Sequence, residues 1–99
     1  MKSFSVYTKY MLYEWDDAKN DRNKKKHKIG FEAIEDFDWS TASVIDRSRA
    51  ADGERRFATI GWLEGRLFTI IFTWRGDHCR VISLRRSNKN EEKFHEENA

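Results

Sequence analysis

Leu67-Phe68-Thr69-Ile70-Ile71-Phe72 is apolar on both faces of an extended chain, the pattern of a strand with neighbours on either side and cover above and below. Working outward, Glu64-Gly65 reads as a two-residue hairpin turn before it and Arg75-Gly76-Asp77 as a second turn after it. These turns delimit strands over residues 56–63, 66–74 and 78–86, an antiparallel meander. Residues 41–45 add a weaker strand, followed by a polar surface loop over 46–54 that contains Asp52-Gly53.

The N-terminal part reads as helical. A short strand over residues 11–15 leads to Asp16, a helix N-cap, and Asp17 adds an anion in the first turn. The helix runs to about residue 28, with Gly30 as its left-handed stop. Ala18 is its one apolar interior side chain, so Trp15 and Ile29 must hold it at its ends. Phe31, Ile34 and Phe37 recur at helical spacing and predict a second, amphipathic helix. Ser87 or Asn88 caps a last helix, with Glu91 completing a capping box. Phe94 is the one large apolar group of that segment, which is therefore lightly docked or mobile. The expected fold is a small single-domain α+β protein, with two N-terminal helices packed on an antiparallel sheet and a short C-terminal helix. Residues 1–10 read as an N-terminal extension and residues 11–99 as the domain.

Ninety-nine residues make one domain with one core. The net charge of +2 hides a segregated distribution. Residues 1–30 hold 8 Lys/Arg against 4 Asp/Glu, 31–54 hold 2 against 7, 55–86 hold 7 against 2, and 87–99 hold 2 against 4. Two basic blocks that meet in space make a local positive field. The single cysteine, Cys79, excludes an internal disulfide framework and fits a reducing cytoplasm, and its place in a strand predicts a buried, inert thiol. No apolar run is long enough to span a bilayer, and the first residues lack the features of a secretory signal.

Strict period two on the last strand puts Cys79, Val81, Ser83 and Arg85 on one face and Arg80, Ile82, Leu84 and Arg86 on the other. Arg75 stands at the mouth of the preceding turn. A guanidinium pairs two phosphate oxygens and stays charged at any physiological pH, which suits these arginines to a phosphodiester. For each taken alone, the plain alternative is a solubilising edge charge. His27 adjoins a lysine cluster, where neighbouring cations favour its neutral, basic form. His78 and His95 share no metal-ligand spacing with His27 or Cys79, so neither a metal nor a cofactor is expected. Phosphate-cradling glycine loops and nucleophile elbows are missing from the sequence.

In combination, Glu14-Trp15-Asp16, Lys19, Asn23, Lys26-His27, Gly30-Phe31-Glu32, Gly53-Glu54-Arg55-Arg56, Ile60-Gly61, Thr73-Trp74-Arg75-Gly76 and the run from Arg80 to Arg86 resemble the BrnT family. The resemblance spans roughly residues 12–95. It departs at Phe94, where tyrosine is frequent, and at Ser87, where alanine is common. It implies a RelE-like fold and a toxin of a type II toxin–antitoxin pair that cleaves RNA without a metal and arrests growth. It implies as partners an RNA substrate and a ribbon-helix-helix antitoxin whose complex with the toxin binds operator DNA, in a bacterial cytoplasm. In that chemistry the ribose 2′-hydroxyl attacks its own phosphate. His27, or failing it Glu54, would move the proton, with Lys26, Arg75, Arg80 and Arg85 binding the phosphate. Two other readings use the same residues: a non-catalytic nucleic-acid-binding or antitoxin-binding domain, and a degenerate toxin without the tyrosine.

Overall fold

A computed structural model describes residues 3–7 and 12–98. Its elements in chain order are β1 (Ser3–Tyr7), β2 (Leu12–Asp16), α1 (Asp17–His27), a 3-10 helix (Phe31–Asp36), β3 (Ser43–Asp46), a 3-10 turn (Ala50–Asp52), β4 (Phe57–Leu63), β5 (Arg66–Arg75), β6 (His78–Arg86) and α2 (Lys89–Asn98). The strands form one sheet in the order β1-β2-β6-β5-β4-β3. Of the expected 1–10 extension, Ser3–Tyr7 pairs antiparallel with β2, whereas residues 1, 2 and 8–10 lie outside the described residues.

The meander is as expected. Glu64 (φ 49°) and Gly65 (φ 80°) are both left-handed, the backbone that a tight two-residue hairpin requires. β5 lies between β4 and β6. The sheet, however, is mixed rather than antiparallel: β2 runs parallel to β6, with Leu12, Tyr13 and Glu14 opposite His78, Cys79 and Arg80. A strand joined to its neighbour through a long crossover is not constrained in direction by any turn, so the sequence pattern does not reveal it.

The helices also differ from the expected pair. Only α1 is an N-terminal α-helix among the described residues, and Phe31–Asp36 is a 3-10 helix. Its apolar residues fall every three positions, which aligns them on one side at three residues per turn. Phe31, Ile34 and Phe37 are buried with Tyr13, Trp15, Phe72, Val81 and Leu84 in the core. The close fit is visible at Gly61, where an added Cβ would stand 2.6 Å from the Phe37 ring. α1 is capped as expected by Asp16, which accepts from the Ala18 and Lys19 amides. Its left-handed stop is Lys28 (φ 62°, ψ 26°) rather than Gly30, because the Lys28 N–H already reaches the Lys24 carbonyl and closes the last turn.

Strict alternation fails on β6. The β5–β6 ladder pairs Ile71 with Ser83 but Phe72 with Val81, leaving Ile82 as a bulge. The extra residue shifts the phase, so Cys79, Val81 and Leu84 all face the core. Arg80, Ser83 and Arg85 therefore share the opposite face, with Thr73, Ile71 and Thr69 of β5 as their partners. The expected separation of Arg80 from Arg85 is thus reversed by one inserted residue.

Polar contacts, more than Phe94, dock α2 on that opposite face. Asn88 and Glu91 exchange the two hydrogen bonds of the capping box, at 2.9 and 2.8 Å. Glu91 and His95 are buried, and His95 Nδ1 lies 2.9 Å from the Ser43 hydroxyl.

The β2–β6 ladder ends at Arg80, so no described strand flanks β6 at Leu84 on that side. α1 lies there instead. The buried Asn23 side chain donates to the Leu84 carbonyl (2.7 Å) and accepts from the Leu84 N–H (3.2 Å), completing the ladder with a side-chain amide. The same nitrogen donates to the Ile29 carbonyl at 2.9 Å. Replacing Asn23 by Ala orphans a buried N–H and C=O, so Asn23→Ala should lower unfolding free energy by about 2–3 kcal/mol in urea titrations. A loss below about 0.5 kcal/mol would show that this amide is not holding α1 to the sheet.

Candidate functional site

α1 places Lys19, Arg22 and Lys26 on one side at helical spacing, and His27 follows. With Asn23, and with Ile82 and Ser83 from the bulged part of β6, they line an open cleft of about 320 Å³. Three cationic side chains and an imidazole therefore face a strip of sheet whose side chains are uncharged. His27 holds its proton less tightly than an ordinary histidine. Partial burial is the main cause, followed by the positive charges of Lys26 and Arg85. These effects favour the neutral imidazole, the form able to accept a proton.

Arg85 reaches this cleft as a charge rather than as a lining residue. Its guanidinium is held in a two-pronged pair by Glu91, at 2.7 and 2.9 Å. Glu91 also accepts from the Thr69 hydroxyl at 3.0 Å and from the Asn88 N–H. Burial pushes the Glu91 carboxyl up, but the Arg85 guanidinium and these donors outweigh it and hold the group below its ordinary value. The pair keeps Arg85 charged and fixed in direction.

Arg80 and Arg75 stand on the same sheet face, further along it. Arg80 donates to Glu14 at 2.8 Å, and the other Glu14 oxygen lies 3.2 Å from His78 Nδ1. Arg75 lies 3.8 Å from Glu54, which is also 3.9 Å from Arg56. Of the six residues singled out in the sequence, the structure brings Lys26 and His27 together in the cleft, with Arg85 close by. Arg80 and Arg75 occupy separate ion pairs on the same face. Glu54 lines a different pocket, with Ser48, Arg49 and Arg55, and does not reach the cleft.

Sequence reasoning missed Ser83 and Glu91 as site residues. Glu91 was visible only as a cap, because nothing in a capping box shows that the same carboxylate also grips an arginine of the sheet. Ser83 stands on the face of Arg85, as strict alternation had it, but an uncharged hydroxyl gave no reason to single it out. Arg22 was also missed, although its spacing from Lys19 and Lys26 carries the signal. As expected, Cys79 is fully buried, and burial pushes its thiol up to about 12. Among the described residues, no three His, Cys, Asp or Glu side chains converge as a metal site would need, and no helix is long and apolar enough to cross a membrane.

Residues 15–91 match the family model of BrnT, the ribonuclease toxin of type II toxin–antitoxin systems. No curated protein matches the sequence.

Removing the Lys26 charge relieves part of the pressure on the imidazole. In Lys26→Gln the His27 pKa, followed by NMR titration, should rise toward the ordinary histidine value of about 6.5. An unchanged titration curve would mean that Lys26 does not act on His27.

Proposed function

Because this chain belongs to the family of BrnT, the ribonuclease toxin of type II toxin–antitoxin systems, we propose that it is an endoribonuclease that cuts RNA without a metal ion and arrests growth. The observation that carries this reading is the placement of His27 beside Lys26 in an open cleft, where partial burial and nearby positive charge, that of Arg85 included, favour its basic form. His27 takes the proton of a ribose 2′-hydroxyl, and the 2′-oxygen forms its bond to the adjacent phosphorus. The bond from phosphorus to the 5′-oxygen breaks, and that oxygen takes a proton from water or from the Lys26 ammonium. The products are a 2′,3′-cyclic phosphate and a free 5′-hydroxyl. Lys26 and Arg85 stabilise the negative charge gathering on the phosphate oxygens. Arg80 and Arg75 bind flanking backbone on the same face, each held in direction by a carboxylate. Glu54 orients Arg75 in this scheme and moves no proton.

Family membership implies an antitoxin partner, and we infer that it masks the activity. In this reading it is a ribbon-helix-helix protein, its complex with the toxin binds operator DNA, and the toxin acts in the cytoplasm on a RelE-like scaffold. The segregated positive charge of residues 1–30 and 55–86 supports a polyanionic substrate.

Antitoxin-free protein incubated with RNA and a chelator should yield fragments ending in cyclic phosphate. His27→Ala, folded as judged by circular dichroism, should cut on the order of 10²-fold more slowly or worse. The wild-type rate should fall as pH drops through the depressed His27 pKa, since the protonated imidazole is no longer a base. Salt-sensitive binding without scission would favour a non-catalytic nucleic-acid module, and full-rate cleavage by His27→Ala would reject the assigned base.

A further inference from the structure

The open sheet face carries a second cleft, of about 250 Å³, lined by Arg47, Arg49, Asp52, Arg56 and Ile71. It adjoins the His27 cleft, because Ile71 is the ladder partner of Ser83, which lines the first. Three guanidiniums meet a single lining carboxylate there. Asp52 is bound at 3.2 Å by Arg49 and lies 3.8 Å from Arg56. The Arg56 Nε is buried and has no hydrogen-bond partner among the described residues. A guanidinium with donors left over from its ion pairs can take an anion as a further partner. Arg47 and Arg49 keep about half and three-quarters of their side chains exposed, so their donors remain accessible to a ligand.

The two clefts are also joined through Glu91. That carboxylate is held by Arg85 on the His27 side and lies 3.8 Å from Arg47 on the other. One buried negative charge thus stands between two positive ones, leaving the strip that connects the clefts net positive. The arginines of the second cleft, which flank β3 and β4, stand two to three strands from Ser83, about 10–15 Å away at a strand spacing of about 4.8 Å. A dinucleotide, with one phosphate, cannot fill both clefts.

The geometry points to a second phosphate subsite, formed by Arg47, Arg49 and Arg56, that grips the backbone of a single-stranded RNA beyond the nucleotide held at His27. This rests on the ribonuclease reading for the identity of the strand, but the subsite is testable by binding alone. Arg56 is structurally committed, whereas Arg47 and Arg49 are exposed enough to remove.

The probe is a 2′-O-methyl RNA decanucleotide, which cannot be cut, with the matching dinucleotide for comparison. In fluorescence anisotropy, the double variant Arg47→Ala/Arg49→Ala should bind the decanucleotide about tenfold more weakly. Its plot of log affinity against log salt should be shallower by roughly 0.7 for each phosphate the variant no longer neutralises. Arg47→Lys/Arg49→Lys should regain most of that slope, as a charge-dependent interaction requires. The dinucleotide should bind the double variant and the wild type alike. Wild-type affinity and slope in a double variant with unaltered thermal midpoint would overturn the subsite, as would a wild-type protein that does not bind the decanucleotide. Arginine-dependent binding by a protein that leaves RNA intact would uphold the subsite and sink the ribonuclease reading. Cleavage with no such dependence would do the reverse.

Discussion

A strand edge must have its backbone groups bonded, and no described strand flanks β6 on the α1 side beyond Arg80. The rest of the molecule depends on how that edge is closed. Asn23 closes it with one amide, which gives and receives a hydrogen bond at Leu84 as a strand would. This lets β2 pass straight into α1 with the helix lying against the sheet edge. The helix buries almost nothing apolar, so it is free to turn lysine, arginine and histidine toward the sheet face. A conventional amphipathic helix with an apolar stripe would need to lie flat on the sheet and would cover the cleft.

The bulge at Ile82 has an effect of similar scale. Without it, Arg85 would point with Val81 into the core, where a guanidinium is expensive to bury. With it, Val81 and Leu84 remain in the core while Arg80, Ser83 and Arg85 share the open face. One inserted residue reconciles a packed interior with a charged exterior on the same strand. Glu91 then fixes the last of these arginines from the opposite side, so the C-terminal helix is a support for the site as well as a cover for the sheet.

Much of this was legible in the chain. The apolar run in β5, the Glu64-Gly65 turn, the Asp16 cap and the Asn88–Glu91 capping box are local signals, read from residues that touch one another. So was the pairing of Lys26 with His27. The misses share a different cause. The parallel pairing of β2 with β6 joins residues more than sixty apart, and the bulge shows only when two strands are laid side by side. The three-residue spacing of Phe31, Ile34 and Phe37 is compatible with both a 3-10 and an α-helix, and burial beneath the sheet decides between them. Glu91 became a site residue only through tertiary contact with Arg85.

The distance along the chain between β2 and β6 has a kinetic side. The β4–β5 and β5–β6 hairpins close through loops of a few residues and can form early. Joining Leu12 to His78 closes most of the chain into one loop and carries a far larger entropic penalty. The His27 cleft has one wall from each end of that closure. A nascent polypeptide emerging from the ribosome therefore carries the lysine–histidine helix long before the strand that completes the cleft, and the competent arrangement is among the last features to assemble.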